Sequence, residues 1–310
     1  MSLVVVGSVA FDSIETPDGC IEDALGGSAV HFSLAASFFG PVQLVGVVGE
    51  DFPEDRHQIL RDRGVCTRGL EVIPGGSTFR WSGKYFDDMD HRETISVDLN
   101  VFENFQPTIP AAYRDASLLF LGNGTPLTQA SVLDQMSASP FTVVDTMDLW
   151  INNTREDLEN LIPRVEALVL NDEEAILLSG EKNLVTAGRK IREMGPTYVI
   201  VKKGQHGSMI FHQGGETALP ALPLAAVTDP TGAGDSFAGG MMGSLLRSGK
   251  TDLDSIKVAV AWGTVTASFC CGGFGVAGLL DVDESALQKR FDRYRKMLDL
   301  GPVEVLLSAP

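Results

Sequence analysis

Short runs of aliphatic and β-branched residues recur along this chain at 3–6, 42–48, 118–121, 142–144, 167–170 and 197–201. Between or after them, apolar positions fall at helical spacing over 28–39, 53–63, 127–136, 155–162 and 184–194. That alternation predicts an α/β fold, a doubly wound and mostly parallel sheet with helices on both faces. Ligands of such sheets sit beyond the carboxyl ends of the strands, so the residues just after each strand carry the most functional weight. Toward the C-terminus the pattern turns helical, at 233–247, 252–269 and 283–298. One stretch breaks the rhythm: at 77–101 two alternating runs, 78–86 and 94–99, flank an acidic turn with no helix between them. This hairpin insertion, about 72–101 with its flanks, is too small to own a core. It reads either as a solvent-facing excursion or as a lid over an active site. With no internal repeat, residues 1–310 are expected to form one α/β domain carrying that insertion.

Composition narrows the classes. With 44% hydrophobic and 21% charged residues the chain is globular, and no window of about 18 apolar residues suggests a membrane span. Lys and Arg total 24 against 41 Asp and Glu, a formal charge of -17. Such a surface repels nucleic acid and anionic membranes. A polyphosphate can still bind where backbone N–H groups, a few lysines and a divalent cation reverse the field locally. Cys20, Cys66, Cys270 and Cys271 show no metal or disulfide spacing. Together with an N-terminus that lacks a basic n-region, they point to reduced thiols in a cytoplasmic protein.

The most specific text is Asp229-Pro230-Thr231-Gly232-Ala233-Gly234-Asp235, followed by an apolar helix. Small residues at 232–234 allow successive backbone N–H groups to point outward at a helix start, where free donors and the dipole attract an anion. Asp235 then stands on the first helical turn, beside whatever the hole holds. Taken alone, the same text also fits a turn followed by an acid that favours the dipole. Gly239, Gly240 and Gly243 inside the helix each cost about 1 kcal/mol relative to Ala, which close helix packing would explain. Asn171 and Glu174, three apart at a helix start, fit either a cap or water-mediated binding of a hard cation. Lys202 and Lys203, before Gly204, end a strand where a phosphate or only solvent could meet them. No G-x-G-x-x-G follows the first strand, which disfavours a dinucleotide-dependent oxidoreductase.

The string DPTGAGDSFAGG resembles the D-T-x-G-A-G-D signature of ribokinase-like (PfkB-type) carbohydrate and nucleoside kinases. Three further elements follow in family order: Gly26-Gly27 opening a helix that includes His31, Gly46 to Asp51, and the N-x-x-E of Asn171 to Glu174. The resemblance covers residues from about 3 to 282. It implies ATP-dependent transfer of the γ-phosphoryl to a hydroxymethyl group of a sugar, polyol or nucleoside. Asp235 is then the base, and Gly232, Ala233 and Gly234 form the anion hole. Asp12, Gly26, Gly27, His31, Trp81 and Asn123 belong to the acceptor site, and Thr231, Lys202, Gly204 and Gly263 to the nucleotide. Asn171 and Glu174 would hold Mg²⁺ through water, and Asp229 with the 270s loop a K⁺ ion. In some members the lid also pairs two subunits into a homodimer.

Departures from the family bear on the substrate. His31 replaces a frequent Asn, and the D-P-N-x-R pattern of fructokinase-like and ketodeoxygluconate-kinase-like members is absent near Asp145. The lid aromatics Phe79, Trp81 and Tyr85 suit either base stacking or the apolar side of a lid. A non-catalytic sugar- or nucleotide-binding regulator of the same fold is the alternative, and an intact Asp235 argues against it.

Overall fold

The structure, a computed structural model, describes residues 1–89 and 91–299. Asp90 of the acidic turn and the end of the expected domain, 300–310, lie outside the described residues. The chain runs β1 (Leu3–Val6), β2 (Ala10–Thr16), β3 (Gly19–Gly26), α1 (Ser28–Ala36), β4 (Val42–Gly49), α2 (Glu54–Asp62), β5 (Val65–Ile73), β6 (Phe79–Tyr85) and β7 (Arg92–Asp98). It continues through β8 (Leu118–Leu121), α3 (Pro126–Leu133), β9 (Phe141–Asp145), α4 (Asp148–Asn153), α5 (Arg155–Leu161), β10 (Ala167–Asn171), α6 (Asp172–Ser179) and α7 (Leu184–Glu193). The last elements are β11 (Tyr198–Lys202), β12 (Ser208–His212), β13 (Gly215–Leu219), α8 (Ala233–Ser248), α9 (Leu253–Cys270), α10 (Ala277–Leu280) and α11 (Glu284–Leu298).

The large sheet has the order β13-β12-β11-β10-β9-β8-β1-β4-β5. It is parallel from β11 to β5, with an antiparallel hairpin, β12 and β13, on one edge. Alternate residues of its strands feed two separate cores, as a sheet buried on both faces requires. Leu3 and Val5 pack with Phe32, Met241 and Val260, while Val4 and Val6 pack with Leu158, Leu178 and Ile191. The helix glycines of α8 are explained by close approach. A Cβ on Gly239 would stand 2.3 Å from the Phe32 carbonyl, and one on Gly240 2.0 Å from Thr266 Oγ1. Among the described residues, no helix is long and apolar enough to cross a membrane.

The insertion differs from a lone hairpin. Its strands β6 and β7 join β2 and β3 in a second sheet, ordered β3-β2-β6-β7. Polar positions such as Asp12, Glu15, Glu22 and Asp23 hid β2 and β3 from the apolar pattern: the first part of β3 faces solvent, and β2, though mostly buried, carries Asp12 inside. The sheet is anchored through the Gly46 to Asp51 segment. Asp51 Oδ1 accepts from the Thr78 N–H at 2.7 Å and from its hydroxyl at 2.6 Å, and Thr78 Oγ1 accepts from Gly49 N–H at 3.0 Å.

Candidate active site

Helix α8 starts at Gly232, whose φ of 74° is left-handed and suits glycine for a second reason. A Cβ there would lie 2.3 Å from the His31 ring. Among the described residues the Gly232 and Gly234 N–H groups have no acceptor, whereas Ala233 N–H donates to Pro230 O at 3.1 Å. Two free donors of the predicted trio therefore remain at the positive end of the helix. Asp235 occupies the third helical position. Burial, reinforced by the Asp145 carboxylate, lifts its carboxyl to about 7 against the opposing pull of Lys202 and Arg92.

The acceptor candidates gather on the lid side of this helix end. Asp12 on β2 is buried, faces the Gly27 N–H, and is pushed to about 7 by burial and by the nearby Asp229 and Asp235 charges. Gly26 is required by that carboxylate, since a Cβ would fall 1.9 Å from Asp12 Oδ2. His31 lies fully under the signature loop. Burial lowers its imidazole to about 4, and its Nε2 has no hydrogen-bond partner. Its Nδ1 is 3.8 Å from Cys270 Sγ, which donates to Thr231 O at 3.3 Å. The lid meets the loop directly, since Thr231 Oγ1 donates to Tyr85 OH at 3.2 Å. Trp81 lies across Gly83, where a Cβ would meet its ring at 2.2 Å. Phe79 instead stacks on Phe102 at 5.4 Å. Asn123 is engaged within the protein, accepting from Trp150 Nε1 at 2.8 Å and facing Met147 Sδ.

Against the same helix end lies a cavity of about 510 Å³, lined also by Asp88 and Met89 of the β6–β7 turn, a size that suits a nucleotide. Lys202, Gly204, Gly234, Thr264, Ser268 and Cys271 are among its lining residues. Gly263 is not; it packs on α8, where a Cβ would lie 2.6 Å from the Phe237 carbonyl. Trp262 is likewise structural, stacked on Phe291 at 3.6 Å. Lys202 is the lysine that points inward. Its Nζ pairs with Asp145 Oδ1 at 3.3 Å and stands beside Gly234. Burial would lower this ammonium, but Asp145, Glu174 and Asp235 outweigh it and hold it above its ordinary value.

Asn171 and Glu174 form a capping box on α6. Asn171 Oδ1 accepts from Glu174 N–H, and Glu174 Oε2 from Asn171 N–H, both at 2.7 Å. Glu174 Oε1 is left over, and burial raises this carboxyl to about 7 despite Lys202. Asp145, Glu174 and Asp235 thus share one lysine, an excess of negative charge that suits a divalent cation. Among the described residues no three His, Cys, Asp or Glu side chains converge as a direct ligand set. Asp229, fully buried, accepts from Thr231 N–H and Gly275 N–H, both at 2.8 Å, tying the 270s loop to the signature.

Asp145 is a site residue that the sequence pattern alone did not single out, although it is the first charged side chain at the carboxyl end of β9. Arg92 was hidden for another reason: its place depends on how the lid strands pair.

The profile of the pfkB family of carbohydrate kinases matches residues 1–272. A cytidine kinase of Thermococcus kodakarensis is 29% identical over 253 residues, covering 80% of this chain and 89% of the relative. A 2-dehydro-3-deoxygluconokinase of Thermoproteus tenax is 28% identical over 257 residues, covering 77% and 78%. Among solved structures, a Burkholderia thailandensis nucleoside kinase in complex with inosine is similar with a TM-score of 0.77 at 18% identity, covering 94% of this chain and 97% of the other.

Proposed function

This chain belongs to the pfkB family of carbohydrate kinases, and we propose that it transfers the γ-phosphoryl of ATP to the hydroxymethyl group of a nucleoside. The observation that carries the reading is the helix end at Gly232 to Asp235, with Asp12 near it and the Lys202 cavity against it. The cavity takes ATP, and the Gly232 and Gly234 N–H groups face the charge that builds on the transferring group. Such preorganised donors contribute about 3 to 4 kcal/mol each. Asp235 orients the acceptor hydroxyl and takes its proton late, position counting for more than basicity. Asp12 accepts from two acceptor hydroxyls, with Gly26, Gly27 and His31 shaping the pocket around them. Mg²⁺ on the Glu174 and Asn171 side would neutralise phosphate charge. A nucleoside is favoured by the cytidine kinase relative and by Trp81, an aromatic face on the lid. A non-catalytic binder would need neither the free donors nor an acid aimed at them.

The test is an ADP-release screen over nucleosides, sugars, polyols and sugar acids with Mg-ATP. Nucleosides are expected to lead, and turnover confined to a sugar acid would overturn the substrate class.

Glu174→Gln separates cap from cation site. Gln at this position preserves a capping box, so thermal stability is expected to hold while the Mg²⁺ needed for half-maximal rate rises about tenfold, as outer-shell changes typically do. An unchanged Mg²⁺ dependence would leave Glu174 as a cap. Asp229 and the 270s loop motivate K⁺ activation, and equal rates in K⁺, Na⁺ and a bulky organic cation would remove that claim alone.

The lid bears on acceptor use and on assembly. Trp81→Ala is expected to lower acceptor kcat/KM about tenfold, or about 1.4 kcal/mol, with ATP affinity within about threefold. The edge strand β7 and its flank also expose Ile95 by 59%, Val97 by 50% and Leu99 by 40%, which supports pairing with a second copy through the lid. Sedimentation of Val97→Lys checks this: a dimer in the parent and a monomer in the variant are expected. Unpaired thiols at Cys20, Cys66, Cys270 and Cys271 support a reducing, cytoplasmic setting.

A further inference from the structure

We propose that Arg92, carried on the lid, is a catalytic residue that touches the migrating phosphoryl group; this deepens the kinase reading above and rests on it. Arg92 pairs directly with Tyr85 across the antiparallel β6–β7 ladder, whose register shifts between Ser82 and Gly83. Residues opposite each other in such a ladder share a face. The face is identified by Tyr85, whose hydroxyl is bonded to Thr231 of the signature loop at 3.2 Å. Arg92 therefore looks toward the helix end where transfer occurs. Its charge is felt there, lowering both the Tyr85 hydroxyl and the Asp235 carboxyl against the burial that raises them.

Charge pairing singles this arginine out. Among the described residues the other cations of β6 and β7 are engaged: Arg80 pairs with Asp23 and Asp51, and Lys84 with Glu15. Deeper in the site, Lys202 is held by Asp145. Arg92 has no carboxylate partner among the described residues and rests 5.9 Å from the Trp81 ring centre. A guanidinium with no carboxylate partner among the described residues, set beside the Tyr85 hydroxyl and felt at Asp235, is available for an anion that arrives with substrate.

The transfer itself supplies that anion. The acceptor oxygen forms a bond to the γ-phosphorus as the bond to the β-phosphate bridging oxygen breaks. The hydroxyl proton passes to Asp235, ADP leaves, and Arg92 neither gains nor loses a proton. Charge spreads over the three equatorial oxygens, which a planar guanidinium matches with paired N–H donors. Because this cation rides on the lid, transfer is fast only when the lid covers the acceptor, and transfer to water is slow without it.

The test uses the full chain and the best acceptor from the screen. Arg92→Ala is expected to lower kcat at least about a hundredfold, the low side of what an arginine at this transition state contributes. Acceptor KM and ADP affinity should stay within about threefold. Millimolar guanidinium should restore at least about a tenfold part of the loss, which a purely structural role for Arg92 on Trp81 would not show. A kcat within threefold of the parent, a loss confined to acceptor KM, or a kcat loss that guanidinium does not rescue would overturn the proposal. If the parent protein itself releases no ADP with any acceptor, the kinase reading fails. An active parent with an unaffected Arg92→Ala sinks only the role of Arg92.

Discussion

Asp235→Asn is expected to lower kcat at least about a hundredfold, the lower end of what a positioned general base contributes. The substitution keeps the shape of the first turn of α8 but cannot accept the hydroxyl proton. Nucleotide affinity should change less than about threefold, since the cavity and Lys202 are untouched. A variant retaining most of its turnover would remove Asp235 from the mechanism. The same carboxyl predicts the pH profile. Raised to about 7 by burial, with Asp145 adding to it and Lys202 and Arg92 opposing, it is ionised only above that value. Activity therefore falls as pH drops through about 7. Asp12, also near 7, must ionise to accept from the acceptor, so kcat/KM should fall with a slope approaching two protons below both values.

Asp12→Ala is expected to reduce acceptor kcat/KM about a hundredfold or more, because charge-assisted hydrogen bonds contribute about 1.5 to 3 kcal/mol each. Donor affinity should be spared, Asp12 lying outside the nucleotide cavity. Asp12→Asn should reduce the acid limb of the pH profile toward one proton. Stability should move the other way. A carboxyl whose folded pKa is raised stabilises the fold fully below its unfolded value near 3.8, and that contribution is lost as pH rises through about 7. At pH 8 the parent keeps a buried charge that serves function, so Asp12→Asn is expected to melt no lower than the parent. A lower melting temperature together with unchanged acceptor kinetics would make Asp12 structural and exclude it from the acceptor site.

Much of this architecture can be read in one dimension. The alternation of short apolar runs with helical spacing specifies the sheet and its two helical layers, because strands buried on both faces must be continuously apolar. The segment Asp229 to Asp235 reads as a candidate anion hole for a local reason: glycine, alanine and glycine before an acid allow backbone N–H groups to lie open at a helix start. Gly26 and Gly27 beside Asp12 are legible in the same way. Other features exist only once distant segments meet. Whether Asn171 and Glu174 cap, bind a cation or do both depends on Asp145 and Lys202, which arrive from β9 and β11. That the lid is a four-stranded sheet is not legible, since β2 and β3 are rich in polar residues and carry too little apolar alternation to announce themselves. Arg92 is one more exposed arginine in the text. Pairing with Tyr85 and the contact of Tyr85 with Thr231 turn it toward Asp235. The shifted carboxyls near 7 arise likewise, since burial and neighbouring charge are properties of packing and not of residue order.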